Sequence, residues 1–65
     1  MDRDKLIELF EKNPLFLEIC IKSIREINKD FDTCDYEIVA NELLKEFDEY
    51  EISEILVDAR DYLFI

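Results

Sequence analysis

The chain contains no glycine in 65 residues, where average usage would place about five. Glycine takes positive φ without a steric penalty, and tight hairpins and many helix C-caps depend on it. A hairpin-rich sheet is therefore disfavoured. Helices joined by short, polar, capped connections are the expected alternative. Nearly half of the residues are apolar and two fifths are charged, a mixture that suits a globular domain better than a disordered chain. One domain over 1–65 is expected, near the lower limit for a self-sufficient core.

Local signals divide the chain into four helices. Asp2 can cap a first helix over about 3–12, with Leu6, Ile7, Leu9 and Phe10 on one face. Asn13-Pro14 restarts the chain, because Asn is a good N-cap and Pro at the first helical position loses no useful N–H. The second helix, about 14–28, is apolar over most of its circumference: Leu15, Phe16, Leu17, Ile19, Cys20, Ile21, Ile24 and Ile27. Only a narrow stripe of Glu18, Lys22, Arg25 and Lys29, with Glu26 beside it, is left for water. That pattern predicts a central helix.

A third helix, about 34–47, carries Tyr36, Val39, Ala40, Leu43, Leu44 and Phe47 at clean helical spacing. Either Asp32 or Thr33 is placed to cap it. The fourth, about 49–63, opens on Asp48-Glu49-Tyr50-Glu51, a capping box with Asp in the Ser/Thr place. Phe47 before that cap and Ile52 after it can form a hydrophobic staple. Ile52, Ile55, Leu56, Ala59 and Leu63 predict its buried face. The fold expected is all-α, a compact bundle of four short helices. Orthogonal packing is expected, because the first helix is short and the corner between the last two is sharp.

Charge is distributed unevenly. Residues 1–29 hold six acids and six bases, while residues 30–65 hold twelve acids and only Lys45 and Arg60 as bases. The whole net charge of −10 therefore lies in the second half. Glu51, Glu54, Asp58 and Asp61 recur at spacings of 3, 4 and 3, which makes an acidic stripe along the last helix. Like charges at i,i+4 cost a few tenths of a kcal/mol, so helix stability alone does not account for the pattern.

Catalytic constellations are missing. There is no histidine, hence no imidazole base and no His-containing zinc site. Asp30-Phe31-Asp32-Thr33-Cys34-Asp35 opens like a calcium loop, but Asp35 stands where glycine is required and Asn41 where the bidentate Glu belongs. A two-carboxylate hydrolase needs a cleft that so small a domain has little volume to form. Cys34 has no base beside it and is flanked by acids, and Cys20 falls on an apolar face. The segments over 34–47 and 49–63 outline a helix-turn-helix, yet the second would present carboxylates to phosphates, so direct nucleic-acid binding is disfavoured. No catalytic activity, metal or cofactor is expected. No apolar run exceeds four residues, which predicts neither a signal peptide nor a membrane span and makes the cytoplasm the expected location.

What remains is binding. One expected surface is acidic: Glu42, Glu46, Glu49, Glu51, Glu54, Asp58 and Asp61. Its natural partner is a basic protein site, such as that of a nucleic-acid-binding enzyme. Carboxylates spaced along helices would then stand in for phosphates, as in the small acidic inhibitors made by phages and other mobile elements. The alternative is an adaptor, immunity or regulatory subunit that binds through apolar contacts, with the acidity serving solubility. Tyr50, Tyr62, Phe64 and Ile65 would be its anchors or a homodimer contact, with Phe31 extending it.

Overall fold

The computed structural model describes the backbone of residues 2–63 and the side chains of residues 2–60. Asp61, Tyr62, Leu63, Phe64 and Ile65, as side chains expected to pack or to bind, lie outside the described residues. Four helices form: α1 (Arg3–Lys12), α2 (Pro14–Ile27), α3 (Tyr36–Glu46) and α4 (Glu49–Leu63). No strand occurs among the described residues.

None of the described residues has positive φ, and the helix ends show how a glycine-free chain manages this. Asn13, Asn28 and Phe47 close α1, α2 and α3 in extended or near-extended geometry. The N–H of each donates to the carbonyl four residues back, at 2.8, 2.8 and 2.9 Å. The chain thus leaves each helix abruptly, without a left-handed turn. At Asn13 the same residue starts the next helix, its Oδ1 accepting from the Phe16 N–H at 3.2 Å. At Phe47 the next cap follows at once. Asp48 Oδ1 accepts from the Glu51 N–H at 2.8 Å, and Glu51 Oε1 accepts from the Asp48 N–H at 3.2 Å. That is the reciprocal pairing the capping box predicts. Phe47 and Ile52 both belong to the apolar cluster, as a staple requires.

The connection between α2 and α3 corrects the sequence reading. α3 starts at Tyr36 and ends at Glu46, shorter at both ends than the expected 34–47, and α2 stops at Ile27. Neither Asp32 nor Thr33 is the cap. Asp35 is, with Oδ1 accepting from the N–H groups of Glu37 and Ile38 at 3.0 and 3.2 Å. Asp32 is taken by Arg25, whose terminal nitrogen reaches it at 3.2 Å while Nε donates to the Phe31 carbonyl at 3.0 Å. This clamp turns Phe31 inward. It is 8% exposed and packs in the core, so it is no partner contact.

The core joins Leu6 and Phe10 of α1, Phe16, Leu17, Cys20 and Ile24 of α2, Phe31 of the α2–α3 connection, Val39, Ala40 and Leu43 of α3, and Ile52 and Ala59 of α4. Phe10 lies 5.5 Å from Phe16 and 5.9 Å from Tyr36 between ring centroids, the second pair edge-on. α2 packs against each of the other three helices, α1 also packs against α3, and α4 rests chiefly on α2. The central position expected for α2 is therefore found. Its circumference is less completely covered than its composition suggests, since Ile27 is 56% exposed. The chain keeps 4620 Å² of surface, against roughly 11,500 Å² for an unfolded chain of this mass. About 60% is thus removed from water, and the 10.8 Å radius of gyration matches the roughly 10.7 Å of a compact chain of this length. No polar or charged side chain is buried among the described residues.

Two stability predictions follow from these contacts. Asp48→Ala removes one half of the capping box and should cost about 1 kcal/mol, lowering Tm by about 4–8 °C in a domain this small. The second concerns Cys20, whose burial pushes the thiol up to about 12 from an ordinary 9.0. A folded thiol stays protonated where an unfolded one ionises, so stability present below pH 9 is lost as pH rises from 9 towards 12. Urea unfolding at stepped pH should show this slope, and Cys20→Val should flatten it.

Candidate functional site

α4 presents two faces. Ile52 and Ala59 turn inward and are fully buried, with Ile55 and Leu56 half-buried beside them. The outward arc carries Tyr50, Ser53, Glu54, Val57 and Asp58, spaced at i, i+3, i+4, i+7 and i+8, as one side of a helix must be. Tyr50 and Val57 are 71% and 52% exposed, unusually high for residues of these types.

Two depressions flank this arc. A shallow one of about 480 Å³ is lined by Tyr50, Ser53, Glu54, Val57 and Asp58. The other, about 240 Å³, lies between α2 and α4 and is lined by Ser23, Glu26, Ile27, Phe47, Glu51, Glu54, Ile55 and Asp58. Glu54 and Asp58 line both, so they form an acidic ridge with a hollow on each side. Ile27, Phe47 and Ile55 make the apolar part of the inter-helix groove, and Glu26, Glu51, Glu54 and Asp58 supply carboxylates around it.

The carboxylates differ in what else they do. Glu51 is engaged with the Asp48 N–H in the helix cap. Tyr50 hydrogen-bonds to Glu54. That bond, then the Glu54 charge, burial and the Asp48 charge, raise the phenol above its ordinary value. Neither Glu54 nor Asp58 makes an ion pair with a described residue; the ion pairs among described residues are Glu8–Lys12 at 2.8 Å and Arg25–Asp32 at 3.2 Å. Two like charges one turn apart are thus left without a cation among the described residues.

The structure divides the acidic residues expected to act together. Glu51, Glu54 and Asp58 share the groove. Glu49 is exposed on α4 but lines neither hollow. Glu42 and Glu46 are half-buried on α3 and line neither. Glu26 was missed, because the charge balance of 1–29 placed it in a neutral half. Its signal was local: Ser23, Glu26 and Ile27 share one side of α2, and two polar residues there mark an incompletely covered face. Of the apolar anchors expected, Tyr50 is placed at the hollow on the outer arc.

The other candidates are occupied with structure. In the calcium-like segment Asp32 holds Arg25, Thr33 Oγ1 accepts from the Asp35 N–H at 3.1 Å, and Asp35 caps α3. No group of three or more acidic or thiol side chains placed to hold a metal occurs among the described residues. Cys20 is buried and Cys34 exposed, both as free thiols. No helix among the described residues is long and apolar enough to cross a membrane. Comparison of the chain with family models, with curated proteins and with solved structures finds no match.

The Tyr50–Glu54 contact has a direct readout. Glu54→Gln removes the largest causes of the raised phenol, so the Tyr50 ring resonance should titrate at lower pH than in the parent chain. An unchanged midpoint would show that the carboxylate does not act on Tyr50.

Proposed function

We propose that this chain is a non-enzymatic protein-binding module whose acidic α4 surface docks on a basic site of a nucleic-acid-handling protein and occludes it. The observation that carries this reading is the Glu54–Asp58 ridge, two neighbouring carboxylates without a described cation, on a helix whose start is fixed by a capping box. Two carboxylates that cost local helix stability and form no ion pair among the described residues are suited to a partner that supplies the cations.

Charge spacing supports the mimic form of the reading. Glu51, Glu54 and Asp58 fall within about 60° of arc and about 10.5 Å of helix rise. That is roughly one charge per 5 Å, against 3.4 Å along one nucleic-acid strand. The density is lower than a strand's but of the same order, and Glu26 adds a fourth charge across the groove. Exposed Tyr50, Val57 and Ile27 beside the ridge favour a second, adaptor-like contribution, in which apolar contact adds to charge.

The test is competition. Protein captured from a cell lysate at low salt should include nucleic-acid-binding proteins. Duplex DNA should displace them, and raised salt should elute them as the charges are screened. Glu54→Lys with Asp58→Lys should lower recovery about tenfold or more; Glu51 is left intact because its loss would loosen α4. Partners that resist both DNA and charge reversal would falsify the mimic reading.

A further inference from the structure

The groove between α2 and α4 has a composition that charge mimicry alone does not require. Ile27 is more than half exposed at the last turn of α2, and it faces the same hollow as Phe47 and Ile55 of the opposite wall. Carboxylates stand on both walls: Glu26 on α2, and Glu51, Glu54 and Asp58 on α4. At about 240 Å³ the hollow falls below the roughly 300 Å³ at which small-molecule sites begin. It offers room for an apolar side chain and little more.

We infer that this groove receives a basic amphipathic helix of the partner, one apolar side chain entering between Ile27, Phe47 and Ile55 while flanking Lys or Arg residues meet Glu26 on one wall and Glu54 and Asp58 on the other. Helix-in-groove recognition needs this combination of an apolar slot and complementary charge at the rim. A second copy of this chain is a poor occupant, since a two-fold contact would set the same acidic rim against itself. Helices that read nucleic acids are both basic and amphipathic. The inference therefore rests on the proposed function and narrows it, from a basic site to a basic helix with an apolar anchor.

Two synthetic helices of about 18 residues, five turns long, separate the possibilities. Both contain the same Leu, Lys and Ala residues. In one the Leu residues form a single stripe flanked by Lys, and in the other they are scattered round the helix. Titrated into the full isotope-labelled chain at low salt, the striped peptide should bind about tenfold more tightly. Its amide shifts should centre on residues 23–27 and 47–58. Ile27→Ser should remove most of that preference and leave the scattered peptide unaffected. Glu26→Gln, which leaves the apolar slot intact, should weaken the striped peptide several-fold.

Equal binding of the two peptides, with Ile27→Ser silent, overturns the inference while leaving charge-driven docking in place. Failure of both peptides to bind at low salt overturns the two together. Concentration-dependent shifts at Ile27 without any peptide would identify a second copy as the occupant and also overturn the inference.

Discussion

The Phe10 ring is where α1, α2 and α3 are held to one another. It is fully buried, stacked at a tilt on Phe16 and met edge-on by Tyr36. Aromatic pairs of this kind contribute about 0.5–1.5 kcal/mol each beyond their burial. The ten residues of α1 fall short of the roughly 12–15 that a helix needs to be even marginal alone in water. Its helicity therefore depends on this packing. Closing three helices around one ring also decides the position of the fourth. α4 rests chiefly on α2 and buries only one side, which leaves a broad arc of it facing water. The candidate site exists because α4 is peripheral.

Acidity is put to two different uses. Asp2, Asp35 and Asp48 each accept from free amides at the start of a helix, where negative charge is favoured by the helix dipole. Glu51 completes one of these caps, and Asp32 neutralises the arginine that fixes the α2–α3 connection. These residues account for their own charge through local structure. Glu54 and Asp58 differ: they lie one turn apart, where like charges repel, and only Glu54 of the two acts on Tyr50. An excess of one sign destabilises a compact state through self-repulsion. A chain that retains such a pair beside exposed apolar side chains combines two features that both favour association.

Much of the architecture was legible because its signals are local. Asp2, Asn13-Pro14 and the Asp48–Glu51 box fix their helix starts within four residues of sequence, and the structure has those starts where the residues imply. The start of α3 was not legible for a physical reason. Asp30, Asp32, Thr33 and Asp35 all carry capping oxygens, and the choice among them depends on Arg25 taking Asp32 and on Phe31 turning into the core. The exposed face of α2 was hidden similarly. A helix apolar nearly all round does not say which side its neighbours will leave open, so the exposure of Ile27 follows from where α4 lies. The acidic ridge could be read from spacing along one helix. The groove could not, because it joins Glu26 to Glu54 and Asp58 across a packing contact.

The central position of α2 also governs how this chain is made. Its buried residues, from Phe16 to Ile24, are covered by helices that arrive both before and after it in the sequence. During synthesis α1 is already present, but Ala59, the last core residue described, is added 35 residues after Ile24. At about 5–20 residues per second, that interval lasts roughly 2–7 s. Until Ala59 is added, one of the most apolar helices of the chain lacks part of its cover. The newborn chain therefore passes through an adhesive stage that the finished fold conceals, and Ile27 is the one large apolar residue of α2 that stays open afterwards.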